Sequence, residues 1–205
     1  MRTYAHCIIG FAVLLVFGFG VPLGTTSAEE TFSYGGAFDL AIPADPEATV
    51  GWMDTAIIEV PDHLIIQDLD VSVSVTHTNA FDLQLSLTSP AGTTVLLSYF
   101  DPQGDFFAGD NYEQTVFDDE AVVSIKDGVP PFVGWFQPVA PEGLAAFDGE
   151  DAFGLWQLDI YDAYYLDTGT LEACFLTVTV PEPATALVLL AGLGLARFAS
   201  RRRVA

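Results

Sequence analysis

The stretch Asp70-Val71-Ser72-Val73-Ser74-Val75-Thr76 constrains the fold more than any other part of the chain. Every second residue is valine and every intervening one is polar. A strand points successive side chains to opposite faces, so this segment offers one face to a core and one to solvent. A helix would scatter the same valines around its circumference. The pattern recurs less cleanly between turn residues through most of the chain after residue 28, with no helical period, and this predicts an all-β sandwich. The expected strands are Thr55 to Val60, Ile65 to Thr78, Asp82 to Thr88, Thr93 to Tyr99, Glu120 to Lys126, Leu155 to Tyr161 and Leu171 to Thr179.

Tight reversals are expected at Ser89-Pro90-Ala91-Gly92 and Asp167-Thr168-Gly169, where proline and glycine supply turn geometry. Two connections are much longer. One runs from Asp101 to Asp119, and the other from Asp127 to Gly154 with Pro130, Pro131, Pro138 and Pro141. Long crossing connections between antiparallel strands predict a jelly-roll or Greek-key topology.

The two ends of the chain differ from this middle. Arg2 precedes an apolar stretch from Cys7 to Phe19, followed by Pro22 and the small residues Thr26-Ser27-Ala28. That layout predicts a secretory signal peptide over residues 1–28, cleaved near Ala28, and a mature domain over 29–180. The last segment, 181–205, joins Pro181-Glu182-Pro183 to thirteen uncharged residues, Ala184 to Ala196, and then to Arg197, Arg201, Arg202 and Arg203. Thirteen is short of the roughly 20 residues of a relaxed transmembrane helix. A short apolar helix held by its arginines on the cytoplasmic side would make a marginal tail anchor. The alternative is a processing signal.

Between Glu29 and Val180 there are 27 acidic residues and one base, Lys126, a formal charge of −26. A field of that sign repels polyanions, which excludes nucleic acid and anionic membrane surfaces as partners. Cys174 is the one cysteine of the domain and lies in an alternating apolar run, so it is expected to be a buried thiol.

If consecutive strands run antiparallel, connections alternate between the two ends of the sandwich. Counting from Asn79-Ala80-Phe81 then brings Asp82, Asp105, Asp110, Asp118, Asp119, Asp162 and Asp167 to one end. Clustered carboxylates repel unless a cation or proton intervenes, and calcium is the hard, oxygen-seeking cation available outside a cell. A structural calcium site drawing on Asp82, Asp110, Asp118, Asp119, Asp162 and Asp167 is therefore one expectation. The other is that the same aspartates start turns by accepting hydrogen bonds from backbone amides.

Catalytic signals are weak. His63 and His77 are the only histidines of the domain, and no Gly-x-Ser-x-Gly elbow or phosphate-binding loop accompanies them. Two histidines fourteen residues apart and a lone cysteine do not form a zinc ligand set. Trp135, Phe136, Trp156, Tyr161, Tyr164 and Tyr165 could stack on sugars or fill a core. Trp156, between leucines on a strand, is expected inside, while Tyr164 and Tyr165 are expected to make exposed contacts.

Two resemblances complete the picture. The Pro-Glu-Pro, the apolar run and the arginine cluster resemble the PEP-CTERM sorting signal of Gram-negative bacteria. That resemblance implies an exosortase-type processing enzyme acting on Pro181, Glu182 and Pro183, transient contact with the inner membrane, and delivery to the cell surface or an extracellular polysaccharide matrix. The ordered pieces THTNAFDLQLSLTSPAGTTVLL, GDNYEQTVFDDEA and FDGEDAFGLWQLDIYDAYYLDTGTL resemble the P domain of the proprotein convertases. It implies a non-catalytic jelly-roll module of the kind that follows and stabilises a subtilisin-like protease. Two features depart from that pattern: no protease domain precedes these pieces, and Ala173-Cys174-Phe175 stands where the family often has tryptophan. The expected roles are thus a surface or matrix component that contacts polysaccharide or a surface protein, or a stand-alone domain that binds a secreted subtilisin-like protease in trans.

Overall fold

A computed structural model describes residues 29–181 except 46, 49 and 101–108. The expected signal peptide, Asp105, the sorting residues from Glu182 to Arg203 and the short C-terminal helix lie outside the described residues. Among those described, no helix is long and apolar enough to cross a membrane.

Ten strands form two sheets. In chain order they are β1 (Glu29–Ile42), β2 (Gly51–Trp52), β3 (Ala56–Val60), β4 (Asp68–His77), β5 (Leu83–Thr88), β6 (Thr94–Ser98), β7 (Tyr112–Phe117), β8 (Phe132–Phe136), β9 (Gly154–Asp162) and β10 (Gly169–Pro181). The first sheet has the order β1-β10-β4-β7-β8, and the second β2-β9-β5-β6, with β3 also paired to β9. Every pairing is antiparallel except β7 with β8, which is parallel. The chain changes sheet after β1, β3, β4, β6, β8 and β9, which makes the sandwich a Greek-key arrangement rather than a meander.

The valines of β4 all face inward, and Leu83, Leu85 and Leu87 of β5 meet them from the opposite sheet, all fully buried. Trp156 of β9 is buried as well. Its ring packs edge-on against Phe147 at 5.1 Å, and its Nε1 donates to the Ala152 carbonyl at 2.9 Å. Truncating such a side chain costs about 3–5 kcal/mol. Cys174 is buried on β10, where burial pushes its thiol up to about 12.

Four strands lie outside the expected set: the two-residue β2, and β1, β7 and β8. In β1, Phe32, Tyr34, Phe38 and Leu40 are only half-buried, and the glycine pair Gly35-Gly36 interrupts them. Gly35 is required there: a side chain would run into the Cys174 carbonyl and the Phe175 Cα of the neighbouring strand. In β7 the period breaks at Gln114, whose φ of 52° marks a bulge that leaves two consecutive residues exposed. β8 is five residues with a glycine at its centre.

The expected strand from Glu120 to Lys126 is not one. Val122 and Val123 are both exposed, the first at 97%, and the segment turns through a 3-10 element at Ile125–Asp127 with a single bridge from Ser124 to Gln137. The two long connections hold β7 and β8, and the second also carries a 3-10 turn at Leu144–Phe147.

Candidate functional site

The expected cluster of six aspartates divides among three places. Asp82, Asp162 and Asp167 meet at the end where β4 finishes and β5 begins. Asp110 is at the same end but exposed, lining a separate recess of about 320 Å³ with Thr76, Thr78 and Thr170. Asp118 and Asp119 are at the opposite end. The reason is β7: an unrecognised strand carries the chain from Tyr112, opposite Val75, to Phe117, opposite Val71, and so reverses the end to which the next residues belong.

At the first end, Asn79 caps a 3-10 turn over Ala80–Asp82, accepting from the Phe81 amide at 3.3 Å, and its Nδ2 donates to Asp82 Oδ1 at 3.0 Å. Asp162, the last residue of β9, pairs with Leu83. Its Oδ1 accepts from the Tyr164 amide at 3.2 Å. Thr78 Oγ1 donates to Asp167 Oδ1 at 2.6 Å. Burial pushes the Asp82 carboxyl up to about 6, and the charges of Asp167 and Asp162 add to this while His77 opposes it. Asp167 is the neighbour whose charge acts most strongly on Asp82, and such repulsion is relieved when a proton or a cation is bound.

His77 lies beneath this pair. Its Nδ1 is 2.8 Å from the Asn79 carbonyl oxygen and 3.2 Å from the Asn79 amide nitrogen, so it can donate to the first when protonated or accept from the second when bare. Its Nε2 is 3.4 Å from Asp162 Oδ2, with both side chains 0% exposed, and neither atom has a hydrogen-bond partner among the described residues. The pair offsets part of the desolvation each would suffer alone.

The opposite end holds a recess of about 480 Å³ lined by Asp68, Asp70, Asp118, Glu120, Asp148 and Trp135. Asp70 is pushed up to about 7, first by burial and then by its acidic neighbours Asp68, Asp118, Glu120 and Asp119. Asp68 and Asp148 are raised mainly by burial, and Glu120 by its hydrogen bond to Asp118. Asp118 starts a turn by accepting from the Glu120 amide at 2.7 Å. Asp119 accepts from the Leu144 and Ala145 amides at 2.9 and 2.7 Å, fixing the 3-10 turn of the second long connection. Gly143 has to be glycine there, with φ at 59° and no room for a side chain beside the Asp119 carboxylate. The alternation of β4 already puts Asp68 and Asp70 on one face. That they meet Asp118 needs the pairing of β4 with β7.

Among the described residues no three His, Cys, Asp or Glu side chains converge tightly enough to hold a metal ion by themselves. His63 is exposed and bonds Asp151 Oδ2 at 2.7 Å through Nδ1, stacking on Phe153 with ring centres 4.1 Å apart. That bond, with the Phe153 amide, holds the Asp151 carboxyl below its usual range. Neither histidine bonds a Ser, Thr or Cys side chain among the described residues. Of the aromatic residues expected at a surface or in a core, Phe136 and Trp156 are buried, Tyr161 and Tyr164 half-buried, and Trp135 and Tyr165 exposed. Tyr161 packs against the exposed Trp52, with ring centres 4.8 Å apart.

Among solved structures, the Aeromonas sobria serine protease in complex with its chaperone is 18% identical, with a TM-score of 0.45, over 76% of this chain and 27% of that one. The same protease alone is 19% identical, with a TM-score of 0.44, over 75% of this chain and 27% of that one. A structure of the infectious bursal disease virus Gt strain is 12% identical, with a TM-score of 0.31, over 75% and 32% of the two chains. The chain thus spans about a third or less of the solved chains it resembles. No curated protein matches it. The PEP-CTERM protein-sorting motif matches residues 179–203. The proprotein convertase P-domain profile matches residues 66–178, more than half of the sequence and the stretch that runs from just before β4 nearly to the end of β10, and the chain belongs to the P-domain family.

Proposed function

We propose that this protein is an exported, non-catalytic P-domain module, sorted by an exosortase-type enzyme to the bacterial surface or an extracellular polysaccharide matrix. The observation that carries the reading is the junction of domain and tail. The sorting motif begins at residue 179, while β10 continues to Pro181 between β1 and β4. Thr179 pairs with both Thr31 and Asp68, so the sorting segment leaves a central strand without a linker. A protein handled through this tail would be handled as a folded sandwich.

Intact-mass measurement on the protein recovered from its native cells tests the reading. A mature C-terminus near Pro183 supports sorting and cleavage. An intact chain through Arg203 on a membrane-bound form overturns it and leaves a tail anchor.

Calcium is proposed as a structural ligand between Asp82 and Asp167, in place of the proton that the raised Asp82 carboxyl would otherwise hold. The support is the elevated Asp82 carboxyl and the buried, unpartnered Asp162 oxygen behind it. Its remaining ligands would be water, since the protein does not supply a closed set. Binding of a secreted subtilisin-like protease in trans is the competing role, supported by family membership alone. Recovery of such a protease with the tagged protein from the native secretome would favour it.

A further inference from the structure

We propose that the outer face of the β1-β10-β4-β7-β8 sheet is a binding groove for a neutral oligosaccharide, with Trp135 and Phe175 as its two stacking walls. This names a partner for the matrix module and in that sense rests on the reading above. A groove of about 620 Å³ crosses the sheet there. Its geometry follows from register. Phe175 is opposite Ser72, Ser72 is opposite Val116, and Val116 is opposite Trp135, so one row crosses β10, β4, β7 and β8 on the outer face. Three strand spacings separate the two aromatic residues, about 14 Å. Both are exposed, Trp135 at 57% and Phe175 at 39%. The floor between them carries Ser72 and Ser74 on β4 and Val116 on β7.

Backbone irregularities shape this trough. Register shifts lie between Ala37 and Leu40 of β1, Leu171 and Ala173 of β10, Val73 and Val75 of β4, and Glu113 and Thr115 of β7. All four fall at the level of Ser74, forming a crease across the sheet. Bulges bend strands and re-aim side chains, and they are frequent beside binding sites. Gln114, with its left-handed φ of 52°, is the residue at the crease in β7, and it lines the groove together with Glu113. A non-glycine residue in that conformation is held there at an energetic cost by its surroundings.

The chemistry of the lining selects the occupant. β10, β4 and β7 are hydrogen-bonded on both sides, so an added peptide strand could pair only at the outer edge of β8, beside the groove and not across it. What it offers is aromatic faces, the aliphatic side chains of Val116 and Val133, hydroxyls, an amide and a carboxylate. Sugar rings match this combination, with apolar C–H faces for stacking and hydroxyls that donate and accept. No cation lines the groove, and at the Trp135 end it meets the acidic recess around Asp70 and Asp118. With a formal charge of −26 on the domain, uronate or sulfated chains are repelled. A neutral glycan remains, long enough to touch both walls.

Affinity electrophoresis of the full chain in native gels cast with hydroxyethylcellulose, dextran or galactomannan, and with alginate as the acidic arm, tests the proposal. The expected result is retardation in at least one neutral gel and none in alginate. Trp135→Ala should weaken the apparent Kd about tenfold or more, the loss of one stacked aromatic. Ser72→Leu, which fills the floor and leaves the walls intact, should abolish retardation. Trp52→Ala, on the other sheet, should leave it unchanged. Free migration in all three neutral gels, retardation in alginate alone, or undiminished retardation of a Trp135→Ala/Phe175→Ala double variant would each overturn the proposal. Binding is read on purified protein regardless of its C-terminus, so its failure is distinct from failure of the sorting reading.

Discussion

Both ends of the sandwich gather carboxylates, yet they hold them differently. At the His77 end, Asp162 is fully buried against an imidazole, and the charges of Asp167 and Asp162 help to raise the buried Asp82 carboxyl. At the Asp70 end, the carboxylates line an open recess with no base among them, and turn formation occupies Asp118 and Asp119. The first arrangement is a packed element of the fold, and the second a patch of stored repulsion. The difference comes from burial and partners, not from residue type.

The largest effect that would break this contrast is loss of the buried pair. Asp162→Ala leaves His77 without its partner and should destabilise the domain by about 3–5 kcal/mol in urea unfolding. A His77→Asn/Asp162→Asn double variant should recover part of that loss. Equal losses in the single and double variants would show that the pair is not coupled.

Calcium should act only at the His77 end. At a concentration 100 times its Kd, it should add about 2.7 kcal/mol to stability. Asp82→Asn should remove the gain, and Asp118→Asn should not. Identical melting midpoints in excess calcium and in chelator would sink the site.

Asp119→Ala removes the acceptor of two amides and should cost about 1–2 kcal/mol, as loss of a helix cap does. A change of similar size in Asp118→Ala would mean that the two neighbours do not divide their work as described.

The smallest effect concerns pH. Asp70 and Asp82 both have folded pKa values above the ordinary 3.8, at about 7 and about 6, so the folded state binds these protons more tightly. Their contribution to stability is complete below about pH 4 and is lost as pH rises through 6 and 7. Without calcium, the melting midpoint should therefore fall between pH 5 and 8. Asp70→Asn should stabilise by about 1 kcal/mol at pH 8, a value reduced for solvent screening of half-exposed groups, and change little at pH 5. A flat profile in the parent protein would remove the stored repulsion.

Six strands were foreseeable because their side chains obey the two-residue period: β3, β4, β5, β6, β9 and β10. β1, β2, β7 and β8 were not, and each has a physical reason. The pair Gly35-Gly36 interrupts the apolar alternation of β1, β2 is only two residues long, the bulge at Gln114 shifts the phase of β7, and Gly134 interrupts β8. The missed β7 then propagated into the site. With that strand absent from the count, Asp118 and Asp119 fall beside Asp82; with it present, they lie a strand length away. Trp156 and Cys174, flanked by apolar residues within well-phased strands, went where their neighbours implied.

Local alternation, turn residues and net charge are properties of neighbours along the chain, and so the all-β class, the acidic field and the aspartate-rich turns could be derived from sequence alone. Which carboxylate faces which is a property of pairing. Asp162 meets His77 across 85 positions, and the row from Phe175 to Trp135 crosses β10, β4, β7 and β8, of which only the last two are consecutive in the chain. Hydrogen-bond register and bulges settle those juxtapositions, because a shift of one residue turns every side chain to the other face.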